Sequence, residues 1–236
     1  TEVVLALYQE MGGSCVKKLR GMFAFAVWDK KKQRLFLARD RIGKKPLVYA
    51  ARPDGTLLFA SELRCLFALD ASLPRDTDPA AIDLYLSLQY IPSPKTAYKA
   101  AQKLPPAHTL TWENGKTTIE PYWDLPIGRP PVTTDIEEAK RLLRAKLTES
   151  VKLRMISDVP LGAFLSGGVD SSIIVALMSE LSSKPVKTFS IGFDEERFSE
   201  ARYAKLVADR YKTDHTEFTV KPEMADVLPK LAWHYG

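Results

Sequence analysis

The sequence has 236 residues, 45% hydrophobic, 27% charged and 10% aromatic, with a formal net charge of +5. That balance is too apolar and too aromatic for a disordered chain. Two cysteines are too few for a disulfide scaffold or a cysteine-rich zinc module, and no apolar run nears the roughly 20 residues of a membrane helix. The length allows one or two domains, and a reducing, cytoplasmic compartment suits the cysteine usage. The opening Thr-Glu-Val-Val has no basic flank and no cleavage site, so it is not a signal peptide. It also lacks an initiator Met, which predicts a processed chain or a piece of a longer one.

Residues 2–10 (EVVLALYQE) have the apolar spacing of an amphipathic helix, ended by Gly12-Gly13. Residues 22–28 (MFAFAVW) and 34–38 (RLFLA) read as two strands of a hairpin around the charged turn 29–33. Lys30, Lys31, Lys32 and Arg34 make the densest basic cluster, predicted to be a solvated hairpin because no aromatic-interleaved or Arg-rich stripe accompanies it. Residues 46–51 and 56–60 form a second strand pair around the turn Pro53-Asp54-Gly55, and 61–68 a short helix. The stretch 71–135 is rich in proline, with one helix near 79–89 and a strand candidate at 108–113. It is predicted to be a peripheral tail and a linker that ends near 128–134 (GRPPVTT), since proline restricts a chain without building a core.

The pattern then changes. A long helix at 135–155 is followed by strands at 161–165, 186–191 and 215–220, alternating with helices at 171–181, 199–211 and 223–234. Strands alternating with helices of this length predict βαβ units and a parallel sheet, thin beside the usual five or six strands.

One loop carries chemistry. The apolar segment 161–165 (LGAFL) runs into 166–172 (SGGVDSS) and then an apolar helix. The glycines permit positive φ and a close approach to bare backbone. Successive N–H groups at the positive end of a helix make an anion nest, and Ser166, Ser171 and Ser172 add hydroxyls. Asp170 would repel a bare phosphate, so it suits a Mg²⁺ shared with phosphates. The loop is not a Walker A, which needs a Lys after the last glycine, and there is no Gly-x-Gly-x-x-Gly.

This loop resembles the pyrophosphate-binding loop of the N-type ATP pyrophosphatases, and its surroundings resemble the glutamine-hydrolysing asparagine synthetases. Residues 19–29 (LRGMFAFAVWD), 38–47 (ARDRIGKKPL) and 59–63 (FASEL) resemble the later part of that family's glutaminase domain. Residues 91–98 (IPSPKTAY) and 103–108 (KLPPAH) resemble its tail, and 121–123 the junction. Residues 157–172, 188–193 (TFSIGF) and 213–217 (TDHTE) resemble the start of its synthetase domain.

The resemblance implies a mixed α/β and α+β fold in two domains. Residues 1–125 are then part of an N-terminal-nucleophile (αββα) glutaminase, with a linker to about 134. Residues 135–236 are then part of a doubly wound, Rossmann-like ATP-pyrophosphatase. It implies ATP and Mg²⁺ as cofactors and asparagine made from aspartate and glutamine-derived ammonia through β-aspartyl-AMP. An acceptor acid other than aspartate and a non-catalytic nucleotide-binding remnant are the alternatives. Ser166, Gly167, Gly168, Asp170 and Ser171 are implied to bind ATP pyrophosphate, with Asp170 on the metal. Phe164, where the family usually has an aliphatic residue, and Ile191 are implied to hold adenine. The expected partners are the small molecules aspartate, glutamine and ATP, with a homodimer as a candidate assembly and neither nucleic acid nor membrane.

No glutaminase nucleophile is expected in this stretch. The family's N-terminal Cys would precede Thr1, and its second glycine- and acid-rich motif would follow Gly236, so the stretch is expected to be a central segment lacking both termini. Cys15 and Cys65 are internal and predicted structural. Thr1 begins a helix rather than a strand, against a nucleophilic role. Arg39-Asp40-Arg41 is predicted to be a structural salt-bridge cluster at a turn. His108, His215 and His234 have no metal-ligand spacing, and Asp194, Glu195 and Glu196 are predicted to lie in a solvated loop.

Overall fold

The computed structural model describes residues 1–193, 200–220 and 224–235. Its helices and strands group into two compact units, one of Thr1–Ile127 with Trp233–Gly236, the other of Gly128–Ala232. Asp194, Glu195 and Glu196 lie outside the described residues, as do the first residues of the helices predicted at 199–211 and 223–234.

The first unit opens with α1 (Glu2–Met11) and a 3-10 turn at Gly12–Lys17. Four strands, β1 (Ala24–Asp29), β2 (Arg34–Arg39), β3 (Val48–Ala51) and β4 (Leu57–Ala60), lead to α2 (Leu63–Leu69) and α3 (Pro79–Leu88). Then come β5 (Gln102–Lys103), β6 (His108–Glu113) and β7 (Lys116–Pro121). The strands make two antiparallel sheets, ordered β1-β2-β6-β7 and β4-β3-β5. Strand alternation explains the layering. On one face of the larger sheet Val27, Phe36 and Ala38 pack with Tyr8 of α1 and with Cys15 and Val16. On the other, Leu37 and Leu110 meet Leu47, Tyr49 and Leu104 of the second sheet's side. The far face of that sheet, through Val48 and Ala50, packs on Leu66 and Phe67 of α2. The order is helix, sheet, sheet, helix.

The stretch after residue 70 is therefore not a peripheral tail. β6 lies inside the larger sheet, paired to β2 on one side and β7 on the other. Leu104 and Leu110 are fully buried. The prolines punctuate the connections between strands, and the alternation in HTLTWE supplies the apolar face.

The three lysines of the basic cluster sit, as predicted, in the exposed β1–β2 turn, where Asp29 Oδ1 accepts the N–H groups of Lys31 and Lys32 at 3.1 Å, while Arg34 opens β2, half-buried and paired to Glu113 Oε2 at 2.8 Å. The predicted salt-bridge cluster Arg39-Asp40-Arg41 is structural, but among the described residues backbone groups rather than opposite charges satisfy it, Arg41 donating to the carbonyls of Leu19 and Lys17 at 2.6 and 3.3 Å. Arg39 donates to the carbonyls of Lys45, Leu104 and Gly43 at 2.9, 2.6 and 2.8 Å. Asp40 accepts N–H groups from Lys45 and Lys44 at 2.9 Å, Ile42 at 3.2 Å and Phe23 at 3.3 Å. Burial pushes its carboxyl up, but these four donors outweigh burial and hold it below the ordinary value. A depressed folded pKa stabilises above the unfolded value of about 3.9 and loses that contribution as pH falls through the folded pKa. Asp40→Asn turns an amide N–H₂ toward donors and should cost about 1–3 kcal/mol at neutral pH. Urea titration from pH 7 down to 2 should show the gap to wild type narrowing below about pH 4; a gap independent of pH would refute the assignment.

The second unit opens with α4 (Ile136–Arg154), capped by Asp135, whose side chain accepts from Glu137 N and Glu138 N. Next come β8 (Gly162–Phe164), α5 (Val169–Leu181), β9 (Lys187–Phe193), α6 (Ala201–Tyr211), β10 (Asp214–Val220) and α7 (Met224–Tyr235), whose residues up to Ala232 belong to this unit. The three strands form a parallel sheet ordered β10-β9-β8, so two consecutive βαβ units share the central strand β9. Val151 of α4 packs with Leu177 and Met178 of α5 and with Val186. Leu165 and Val175 pack with Ala204 and Ala208 of α6. Among the described residues no helix is long and apolar enough to cross a membrane.

Candidate functional site

The serine- and glycine-rich loop joins β8 to α5. Leu165 anchors its start: the side chain is buried, and its N–H donates to Phe189 O at 2.8 Å, one step beyond the β8 ladder. The chain then turns at Gly167, with φ of 78°. Gly168 caps α5 without a side-chain bond. The first N–H groups of a helix have no intrahelical acceptor, so α5 presents its positive end beside the loop.

Three hydroxyls shape the turn. Ser166 Oγ and Ser171 Oγ are 3.0 Å apart, and Gly168 N donates to Ser166 Oγ at 3.3 Å. Ser171 and Ser172 donate to Gly168 O at 3.2 and 2.7 Å. Asp170 stands exposed in the first turn of α5, with no hydrogen bond or ion pair among the described residues. A carboxylate held at a helix N-terminus suits the dipole, and left without a cation it suits a metal shared with phosphates.

The two glycines differ. A Cβ on Gly167 would lie 2.4 Å from Tyr203 C and Cβ and 2.5 Å from Ala204 N. So Gly167 is required both by its backbone conformation and by the approach of α6, a constraint that the sequence did not reveal. A Cβ on Gly168 would meet only Ser166 Oγ, at 3.3 Å.

A cleft of about 190 Å³ opens beside the loop, at the carboxyl ends of β8 and β9. Phe164, Leu165, Ser166, Ser190, Ile191 and Glu200 line it. Phe164 is 78% exposed and Ile191 51% exposed. Neither is packed in the core. The structure thus brings the apolar pair and the first loop serine around one concavity, in the place where open α/β sheets bind ligands.

The other candidates stay apart from this site. Cys15 is fully buried beside Tyr8 and Phe36, and burial pushes its thiol up, away from the reactive thiolate. Cys65 is exposed on α2. Thr1 is exposed ahead of α1, its carbonyl accepting from Leu5 N. His108 Nδ1 bonds Pro106 O at 2.7 Å. Among the described residues no group of three or more His, Cys, Asp or Glu is placed to hold a metal ion. A larger groove of about 830 Å³ between the end of α1 and the β1–β2 turn contains none of the predicted site residues.

Comparison with known proteins divides the chain similarly. Residues 1–123 match the family described as Glutamine amidotransferase domain, and residues 142–236 the one described as Asparagine synthase. A protein of Methanocaldococcus jannaschii named "Putative asparagine synthetase [glutamine-hydrolyzing] 2" is 41% identical over 100% of this chain and 46% of its own length. Bacillus subtilis "Asparagine synthetase [glutamine-hydrolyzing] 1" is 37% identical over 100% of this chain and 37% of its own length. Penicillium rubens "Amidase chyE" is 32% identical over 99% of this chain and 36% of its own. The chain spans less than half the length of these relatives.

Proposed function

This chain belongs to the glutamine-hydrolysing asparagine synthetase family, with a glutamine amidotransferase domain followed by an asparagine synthase domain, and from that premise we propose that the whole protein converts aspartate to asparagine. ATP supplies the activation and glutamine the nitrogen. The observation that carries this reading is the cleft at the ends of β8 and β9, where Phe164, Ser166 and Ile191 face one another's space beside the anion-nest loop.

The chemistry needs such a site. A carboxylate is a poor electrophile. Attack of an aspartate side-chain oxygen on the α-phosphorus of ATP forms β-aspartyl-AMP and releases pyrophosphate. Ammonia then attacks the activated carbonyl and AMP leaves. In this reading Phe164 and Ile191 offer apolar surface to adenine. Ser166, Gly167, Gly168 and Ser171 hold the pyrophosphate oxygens through hydroxyls and loop and helix N–H groups, accumulating donors where charge grows on the leaving group. Asp170, a carboxylate with no partner among the described residues beside those donors, fits Mg²⁺ bound through phosphates, which would neutralise phosphate charge. The first unit's helix, sheet, sheet, helix order supports an N-terminal-nucleophile glutaminase, and the βαβαβ arrangement of the second an N-type ATP-pyrophosphatase. A homodimer in the cytoplasm accompanies this reading by family resemblance.

A second reading is amide formation on a different acid, since one relative carries a name other than asparagine synthetase. One assay separates them. Full-length protein with ATP, magnesium and glutamine should release pyrophosphate only when aspartate is added, with asparagine as product. Release with another acid and not with aspartate selects the second reading. No release with any acid leaves a non-catalytic nucleotide-binding protein and overturns both.

A further inference from the structure

Among the described residues His215 has no hydrogen bond to the loop, yet it is tied to the cleft. It stands in β10 directly beside Thr188 of β9. Its Nδ1 lies 2.9 Å from Thr188 Oγ1, and its Nε2 lies 3.2 Å from Ser190 Oγ. Thr188 Oγ1 is in turn 2.8 Å from Thr213 Oγ1. Thr188 and Ser190 are both buried, and Ser190 lines the cleft next to Ile191.

A neutral imidazole has one N–H and one lone pair, and a hydroxyl can donate or accept. Both ring nitrogens are therefore satisfied in either tautomer. One rigid ring bonded to residues two apart on the neighbouring strand acts as a staple. It fixes the first half of β9 against β10, beyond what the ladder alone does. The Nδ1 arm holds strand to strand inside the sheet. The Nε2 arm ends on a residue of the cleft wall.

We propose that His215 is a positioning residue for nucleotide binding, acting through its Nε2 bond to Ser190 to hold the β9 wall of the cleft in place. This rests on the assignment of that cleft to ATP. The two arms can be cut separately, because Gln places its amide near the position of Nε2 and Asn near that of Nδ1.

The test is titration of the full-length protein with Mg-ATP, with thermal unfolding and the glutaminase rate followed alongside. His215→Ala, His215→Asn and Ser190→Ala should each weaken ATP binding about three- to tenfold, the range of one net hydrogen bond. His215→Gln should restore it. The double variant Ser190→Ala, His215→Ala should bind no worse than either single one. Equal losses for Asn and Gln, additive losses in the double variant, or wild-type affinity in His215→Ala overturn the proposal while leaving the ATP assignment standing. If the alanine variant does not fold, the Asn, Gln and Ser190→Ala comparison decides. Wild-type protein that binds no ATP overturns this proposal and the reading beneath it together.

Discussion

Replacing Asp170 by Ala in the full-length protein is expected to abolish pyrophosphate release while sparing glutamine hydrolysis. The carboxylate has no partner among the described residues and sits at the first turn of α5, beside the hydroxyls of Ser166 and Ser171. Its removal takes away no hydrogen bond among the described residues, so folding should be unaffected. It does remove the one acidic group of the loop proposed to hold magnesium. Metal stabilisation of phosphoryl charge amounts to several kcal/mol, so the loss should be at least about a hundredfold in rate. Aspartate-dependent pyrophosphate release and glutamate formation, measured on the same preparation, check it. Normal pyrophosphate release by the variant would sink the metal assignment; loss of both activities would mean that the substitution damaged the fold.

Gly167→Ala is expected to have the largest effect on stability. Two independent costs coincide at this position. The backbone φ of 78° is one that an L side chain adopts at a cost of about 1–2 kcal/mol. The added Cβ would also fall 2.4 Å from the backbone of Tyr203, which cannot swing aside as a flexible side chain could. Overpacking of this kind typically costs about 1–3 kcal/mol, so the sum is about 2–5 kcal/mol. Gly168→Ala is the control. Its φ of −69° suits alanine, and the neighbour that it meets is the Ser166 hydroxyl, 3.3 Å away. Denaturant unfolding should show a lowered midpoint for Gly167→Ala and a near-native one for Gly168→Ala. A Gly167→Ala midpoint within about 0.5 kcal/mol of wild type, the range of a neutral surface change, would refute the packing argument.

The two glycines show how far a sequence can be read. Ser-Gly-Gly before an apolar helix announces a turn that bares its backbone. It does not say which glycine bares it to what. Gly167 faces α6, some 35 residues on in the chain, and only the packing of α6 against Leu165 and Val175 brings it there. His215 is a similar case. One histidine among threonines reads as satisfied or exposed, and the register of β10 on β9 makes it a bridge to Ser190.

The sequence by itself determined the local elements. Apolar spacing, caps and turn residues marked the helices and most strands, because those signals act within a few residues. Asp135, for instance, caps α4 with its own side chain. The change from hairpins to alternating strands and helices likewise foretold the parallel sheet. What only the tertiary structure decided depends on pairing across long separations. The strands β1, β2, β3 and β4 split into two sheets, and β6 enters the larger one beside β2 rather than lying outside it. Arg39 and Asp40 found backbone partners instead of opposite charges. Phe164 and Ile191 could have been core residues on composition alone; the staggered ends of β8 and β9 left them exposed around one cleft. Hydrogen-bond register and burial are collective properties of the folded chain. No local window contains them, and the candidate site is made of both.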